Sequence, residues 1–368
     1  MLADPIKAVL APRLARMKSQ ELKRAAAGKT DAMRQHEYMV ARESILGDLS
    51  SMPVSTTQEC IRNTKAARRK ERLDLVSREL VACPKHATEA VRLRKDMDEV
   101  ENMRCAKHVY LANDPKAPPE LRDNPPPGFL KPTQEELKKI GLDQEMLTPT
   151  KSNFRAAIYI KDPTVWGKDP KPSAVLSLRG STPEEEDWEN NFNQDANKEA
   201  PYYRNAVQMG NMLAAVKASV HIVGHSLGGG LASAVQGGSG LTASTYNAAG
   251  LHPATVARYS QDTEHVAAEA EKITAIRLKG EVLTKTQEEF LGSKGLSLIA
   301  NDAAGTKHDV TPSHDQASFR NLKKTGYIPS EESYDTYLHG MDEVIAATEK
   351  SKTSDEATMR SCKENRSG

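Results

Sequence analysis

The apolar positions follow two different patterns along the chain. Near the N-terminus, five of them recur every three or four residues, which predicts an amphipathic helix with a basic face: Ile6, Val9, Leu10, Leu14 and Met17. The segments 58–82 and 87–109 are also predicted to be helices, joined at Pro84. The first hundred or so residues are therefore expected to be helical and basic.

After this first third, short runs of apolar and β-branched residues alternate with helical patterns. The predicted strands are 154–160, 173–178, 219–223, 242–246 and 273–278. The predicted helices are 133–140, 203–217, 227–235 and 334–348. This alternation predicts an α/β fold in which a mostly parallel sheet is covered by helices on both faces.

A cluster of prolines separates the two patterns. The segment 113–132 contains seven prolines, a composition that favours extended, semi-rigid backbone. We therefore predict four regions in the chain of 368 residues. They are a helical, basic N-terminal region (1–112), a Pro-rich linker (113–132), an α/β domain (133–350) and a polar C-terminal tail (351–368).

The composition is that of a rather polar protein. Hydrophobic residues make up 38% of the chain and the mean hydropathy is −0.61. No apolar run approaches the roughly 18 residues that suggest a membrane-spanning helix. Lys7 and Pro12 interrupt the apolar residues at the N-terminus, so no signal peptide is expected. These features predict cytoplasmic synthesis, with any export left to a dedicated secretion system.

The charges are balanced overall but unevenly distributed. The net charge is +1, whereas residues 1–110 contain 22 Lys and Arg against 15 Asp and Glu. The densest basic cluster is Arg68-Arg69-Lys70-Glu71-Arg72. It has no interleaved aromatic residues, so it predicts an exposed helix face rather than a nucleic-acid site.

The four cysteines form no C-x-x-C pair, which argues against a zinc or redox motif. Cys60 and Cys105 fall near the same end of the predicted helical hairpin. They form either a disulfide, in an oxidising compartment, or two free thiols, and the sequence leaves both alternatives open. No metal site and no cofactor are predicted.

The most informative motif is the G-x-S-x-G segment Gly224-His225-Ser226-Leu227-Gly228. A β-branched run precedes it and a helical pattern of small residues follows it. A serine nucleophile on a sharp strand-to-helix turn requires this order, because the glycines let strand and helix pass closely. The first N–H groups of the helix then point at the developing oxyanion. Ser226 is therefore the candidate nucleophile.

Sites of this kind have the chain order serine, acid, histidine. Five histidines follow Ser226: His252, His265, His308, His314 and His339. We predict His339 as the base, because Gly340 gives the backbone conformational freedom beside it and the amphipathic helix that follows anchors the segment. His308 and His314 lie in a predicted polar loop and are expected to be solvent-exposed, with either of them as the alternative base. The side chain of His225 is expected to point away from the serine hydroxyl.

Two carboxylates are candidates for the acid that orients His339. Glu281 follows Gly280 at the end of a predicted strand, where sites in parallel sheets are built. Asp302 has a similar setting and is the alternative acid. The oxyanion donors are predicted to be the N–H groups of Leu227, just after the nucleophile, and of Ser181, at the end of a neighbouring strand.

Several segments together resemble the class 3 lipase family of α/β-hydrolases. They are Leu178-Arg179-Gly180-Ser181, Asp187-Trp188, Asn191-Phe192 and Gly224-His225-Ser226-Leu227-Gly228-Gly229. The resemblance implies an α/β-hydrolase fold, Ser226 as nucleophile and an oxyanion hole at Ser181 and Leu227. It also implies lid or acyl-site material at 183–196. The acid of that family is usually Asp, so Glu281 departs from the pattern and Asp302 keeps the residue type.

The segments 279–284 and 339–345 are also similar to lipase-like phospholipase effectors that bacteria secrete. That resemblance implies a partner protein that neutralises the enzyme. We therefore expect a serine hydrolase of carboxylic esters that acts through an acyl-enzyme on lipids, above all phospholipids, at a membrane surface. Two alternatives remain: a hydrolase of small esters that does not act on membranes, and a catalytically inactive binding or scaffold protein on a hydrolase fold.

Overall fold

A computed structural model describes residues 29–82, 84–261, 264–284 and 302–364. The helix predicted at 6–17 lies outside these residues. The helices before the sheet are α1 (Asp31–Leu46), α2 (Gln58–Ala82), α3 (Ala87–Leu111) and α4 (Pro119–Arg122). The strands are β1 (Phe129–Leu130), β2 (Ala156–Lys161), β3 (Ala174–Leu178), β4 (Val220–His225), β5 (Ala243–Tyr246), β6 (Ile273–Leu278) and β7 (Thr306–Val310).

The helices among and after the strands continue the numbering. They are α5 (Gln134–Ile140), α6 (Gln144–Leu147), α7 (Pro163–Trp166), α8 (Glu185–Asp195), α9 (Pro201–Ala215), α10 (Leu227–Ser239), α11 (Ala254–Tyr259), α12 (Gln316–Lys324), α13 (Tyr334–His339) and α14 (Met341–Glu364). None of the described helices is long and apolar enough to span a bilayer.

The seven strands form one sheet in their order along the chain. The first three strands pair antiparallel, and β3 to β7 pair parallel. The predicted α/β fold with a mostly parallel sheet is therefore confirmed. Strand β4 lies in the middle, and near its end Gly224 lies opposite Leu178 of β3. The turns that follow β3, β4, β5 and β6 consequently meet at the same edge of the sheet.

Helices cover both faces of the sheet. On one face, α9 and α10 bury Tyr203, Val207 and Leu231 against the strands. On the other face, α3 and α14 bury residues such as Met103 and Val344 together with strand residues. Helix α3 belongs to the basic N-terminal region, and it forms one layer of the same core as the sheet. The residues beyond the Pro-rich segment therefore depend on α3 for the cover of that face.

Two elements differ from the prediction. The last helix breaks at Gly340, whose backbone is extended, and then continues to Glu364 instead of ending at residue 348. Residues 351–364 are therefore helical rather than a tail, and Met359 among them is fully buried. Strand β7 lies in the segment predicted to be a polar loop. It is mostly exposed, so it lacks the apolar alternation that indicates a strand.

The described cysteines Cys60 and Cys105 are free thiols. Cys60 is exposed on α2, whereas Cys105 is buried on the face of α3 that packs against the sheet. Of the two alternatives that the sequence leaves open, the structure has the unpaired one.

A buried ionic cluster connects the N-terminal helices to α14. The Arg104 side chain has no exposed surface; it donates to the carbonyl of Ser44 at 2.8 Å and pairs with Glu349. Glu101 accepts from Lys65 at 2.6 Å. Burial opposes ionisation of Glu101, but Lys65 and Arg104 outweigh it and hold its pKa at about 2. Its charge therefore stabilises the fold above its usual pKa of 4.5, and this contribution is lost as the pH falls towards 2.

We expect Arg104→Ala to lower the free energy of unfolding by about 3–5 kcal/mol, because it leaves buried carboxylates with too few cations. The control is Lys70→Ala, which breaks an exposed ion pair with Asp74 four residues away. That change should alter the free energy by less than about 0.5 kcal/mol. Urea unfolding near neutral pH measures both. Equal, small effects would contradict a structural role of the buried cluster.

Candidate active site

Ser226 lies on a sharp turn between β4 and α10. Its backbone has φ 57° and ψ −127°, a strained conformation for a residue with a side chain. Gly224 and Gly228 make the turn sterically feasible. A Cβ at Gly224 would overlap the carbonyl of Gly228, and a Cβ at Gly228 would overlap the carbonyl of Leu178. The two glycines of the motif are therefore required by backbone contact.

Three side chains from different elements form a hydrogen-bonded series at this turn. The Nε2 atom of His339 lies 3.0 Å from the hydroxyl oxygen of Ser226. The Nδ1 atom of His339 lies 2.9 Å from a carboxylate oxygen of Glu281. Because an ionised carboxylate only accepts hydrogen bonds, Nδ1 carries the proton and Nε2 faces the hydroxyl as an acceptor. The structure thus brings together Ser226, His339 and Glu281, which the sequence analysis selects.

Glu281 is almost completely buried, with 1% of its surface exposed. Burial alone would raise the pKa of its carboxyl group, but His339 and hydrogen bonds from the Thr284 side chain and the Leu283 backbone outweigh it, so the pKa is lowered. The N–H of Leu283 donates at 2.9 Å to the oxygen that also faces His339. The carboxylate is therefore ionised and fixed in position beside the imidazole.

Asn247 connects the segments that carry the acid and the histidine. Its side-chain oxygen accepts from the N–H of Leu278, at the end of β6 and three residues before Glu281, at 2.9 Å. Its side-chain nitrogen donates to the carbonyls of Leu338 and His339, each at 3.1 Å. Asn247 itself has φ 41°, which asparagine tolerates better than most residues. One side chain thus fixes the spacing between the segment that carries Glu281 and the segment that carries His339.

The predicted oxyanion donors lie beside the serine. Leu227 is the first residue of α10, and the first N–H groups of a helix have no acceptor within the helix. Ser181 follows Gly180, which packs so closely that its Cβ would lie 3.3 Å from the Cβ of Ser226. Both residues therefore lie next to Ser226.

Asp187 holds the loop that contains Ser181, a role that the sequence analysis does not assign to it. The buried carboxylate accepts from the N–H and hydroxyl of Thr182 at 2.7 and 2.8 Å. It also accepts from Asn153 at 3.0 Å and from the hydroxyl of Tyr202 at 2.8 Å. The motif signal for this residue is the Asp187-Trp188 pair, which lies inside the segment expected to be lid or acyl-site material.

Helix α8 makes up most of the segment 183–196, and hydrogen bonds made by its side chains anchor it. The indole N–H of Trp188 donates to the carbonyl of Thr182 at 3.0 Å. The side chain of Glu186 accepts from the backbone N–H of Asn153 at 2.8 Å. The helix is thus attached to the loop after β3 on which Ser181 lies.

The other candidates from the sequence lie elsewhere. Asp302 forms an ion pair with Lys307 and precedes β7, so it lies at the amino ends of the parallel strands. Glu281 follows β6 and lies at their carboxyl ends, so Asp302 is not the partner of His339. His308 lies within β7. His314 is half-buried rather than fully exposed, and its Nδ1 lies 2.7 Å from the carboxylate of Glu343. Within the described ranges, no cluster of side chains suited to a metal ion occurs.

Comparison with known proteins identifies the kind of hydrolase. A family model for phospholipase-like proteins, a Tle-like phospholipase domain, matches residues 101–322. An extracellular phospholipase A1 of Serratia liquefaciens is 31% identical over 254 residues, which cover 67% of this chain and 69% of the relative. The resemblance to lipase-like phospholipases is thereby confirmed. The chain belongs to the family of Tle-like phospholipase domains and is a hydrolase of lipid esters.

Proposed function

We propose that this protein cleaves a fatty-acyl ester of phospholipids, with Ser226 as nucleophile, His339 as general base and Glu281 as the acid that orients His339. The observation that carries the proposal is the hydrogen-bonded series from the serine through the imidazole to the buried carboxylate. This series begins at a strained strand-to-helix turn, which exposes a serine hydroxyl at the edge of the sheet.

In the first step, the hydroxyl oxygen of Ser226 attacks the ester carbonyl and its proton passes to Nε2 of His339. The carbonyl oxygen becomes an oxyanion that the N–H groups of Ser181 and Leu227 stabilise. The imidazolium then gives its proton to the oxygen of the leaving alcohol, and the C–O bond to this alcohol breaks. The products of this step are a lysophospholipid and an acyl group bound to Ser226.

In the second step, His339 accepts a proton from a water molecule, and the hydroxide attacks the acyl-enzyme. The same two N–H groups hold the second oxyanion. Its collapse releases the fatty acid, and the proton returns from His339 to the oxygen of Ser226. During both steps the ionised Glu281 stabilises the imidazolium and keeps its ring in place. The reaction needs no metal or organic cofactor.

The name of the relative supports a proposal for which ester bond is cleaved. The Serratia liquefaciens protein is named an extracellular phospholipase A1. We extend that activity to this chain and propose that it cleaves the ester at the first carbon of the glycerol. The enzyme would then act at the surface of a phospholipid membrane.

Vesicles of a phospholipid with palmitate at the first and oleate at the second position test the reaction. We expect the wild-type protein to release palmitate, and Ser226→Ala to be at least about 1,000-fold slower because no acyl-enzyme forms. The measurement is free fatty acid by mass spectrometry, with circular dichroism showing that both proteins are folded. Release of oleate alone would contradict the proposed position. Hydrolysis of short soluble esters without any release of fatty acid from vesicles would favour a small-ester hydrolase. The absence of all hydrolysis would favour a binding protein.

A pair of substitutions tests the acid. Glu281→Gln should lower kcat by about 100- to 10,000-fold, because an amide cannot stabilise the imidazolium and favours the wrong tautomer. Asp302→Asn should leave kcat unchanged, because that carboxylate pairs with Lys307. Initial rates on the same vesicles measure both variants. A large loss of kcat with Asp302→Asn and none with Glu281→Gln would assign the acid to Asp302.

We also propose that the protein acts on membranes outside the cell that makes it. The support is the extracellular location in the name of the relative. A producing bacterium then needs a partner protein that neutralises the enzyme.

Expression in a bacterial host tests the place of action. The wild-type protein should be harmless in the cytoplasm and lethal when a signal sequence directs it to the periplasm, whereas Ser226→Ala should be harmless in both. Colony counts after induction measure survival, with protein levels checked by immunoblot. Normal survival with abundant wild-type protein in the periplasm would contradict the proposal.

A further inference from the structure

His225, the residue before the nucleophile, lies between the end of α3 and the backbone of His339. Its Nε2 atom is 2.7 Å from the carbonyl oxygen of His339. Its Nδ1 atom is 3.0 Å from the hydroxyl of Tyr110, in the last turn of α3. The imidazole therefore bridges a helix of the N-terminal region and the chain segment that carries the base.

The two contacts fix the protonation of His225. A carbonyl oxygen only accepts hydrogen bonds, so Nε2 carries a proton and donates to it. Burial, together with the neighbouring His339, lowers the pKa of His225 to about 3, so the ring is neutral near pH 7. Nδ1 then has a free lone pair, which accepts from the hydroxyl of Tyr110. The tautomer is thereby set by Tyr110 on one side and His339 on the other.

The carbonyl of His339 is a position where such a donor is needed. His339 is the last residue of α13, and the last carbonyls of a helix have no N–H partner within it. Two side chains satisfy this carbonyl: His225 at 2.7 Å and Asn247 at 3.1 Å. Helix α13 has only six residues, so its own hydrogen bonds hold its end weakly.

The hydroxyl of Tyr110 packs against Gly180 and against His225. A Cβ at Gly180 would overlap this hydroxyl and would lie 2.5 Å from the carbonyl oxygen of His225. The end of α3, the loop before Ser181 and the turn of Ser226 therefore meet at one point. The rings of His225 and His339 are also adjacent, with centroids 4.9 Å apart.

We propose that Tyr110 and His225 are positioning residues for His339: the hydroxyl of Tyr110 holds the neutral tautomer of His225, whose Nε2–H holds the main chain of the catalytic histidine. The inference rests on the proposed function of His339 as base. It assigns to α3 a direct part in the geometry of the active site. Loss of the bridge keeps substrate binding intact, but the imidazole of His339 loses its alignment with the serine hydroxyl.

Substitutions at His225 separate hydrogen bonding from packing. Glutamine carries its amide nitrogen as many bonds from Cα as Nε2 of histidine, so His225→Gln keeps a donor near the carbonyl of His339. Asparagine carries its nitrogen one bond closer to the main chain, at the place of Nδ1, so His225→Asn does not reach this carbonyl. Tyr110→Phe removes only the hydroxyl. The matched control is His221→Gln, on the same strand, where the histidine instead faces Thr242 and Ser244.

Two measurements are made on every variant: kcat and KM on phospholipid vesicles, and the rate at which a fluorophosphonate labels Ser226. We expect His225→Asn to lower kcat and the labelling rate about 10- to 100-fold with an unchanged KM, because the imidazole of His339 loses its alignment. Tyr110→Phe should lower both about threefold to tenfold, the value of one hydrogen bond. His225→Gln should recover most of the loss, and His221→Gln should match the wild type.

Other outcomes overturn the inference. Wild-type values of kcat and labelling in both His225→Asn and Tyr110→Phe would show that the bridge does not position His339. Equal losses in His225→Gln and His225→Asn would show that ring packing, and not the donor, is required. If His225→Asn does not fold, Tyr110→Phe decides, because wild-type values of kcat and labelling in this variant would overturn the inference. A folded wild-type protein that neither labels nor hydrolyses lipid would instead refute the proposed function, and the inference with it.

Discussion

The active site depends on one steric constraint, the close contact of three backbones around Ser226. Strand β3, strand β4 and helix α10 approach each other so closely that neither Gly224 nor Gly228 has room for a side chain. This contact forces the serine into a conformation with positive φ, and the central position of β4 in the sheet keeps it there. Strain of this kind persists only where the surrounding structure over-determines it. Every other element of the site is placed relative to this turn.

Much of the fold and of the candidate site could be predicted because the signals are local. The G-x-S-x-G motif, the run before it and the glycine before Glu281 are each visible within a few residues. His339 is predictable as the candidate base from the chain order of such sites and from the residues next to it in the sequence. Strand β7 could not be predicted because its residues are mostly exposed and polar, and pairing with β6 is what makes it a strand. The length of α14 depends on packing against α3, which is distant in sequence.

The residues that hold the site in place were harder to recognise. Asn247 and Tyr110 act on groups that are close in space but distant in the sequence. Asn247 contacts residues 31 and 92 positions away, and Tyr110 contacts His225 at a separation of 115. No periodicity or motif spacing reports such contacts. Their chemistry is ordinary hydrogen bonding, and only the fold shows what each donor and acceptor faces.

The position of α14 has a consequence for the synthesis of the protein. The face of the sheet that α3 covers is completed only by residues 341–364, and the proposed base, His339, comes 113 residues after the serine. A ribosome-bound chain that has reached only β6 carries the serine and its turn without a base. Domains generally fold as units during synthesis, and contacts between distant residues form late. With the proposed roles of Ser226 and His339, the growing chain cannot attack an ester until synthesis has passed His339.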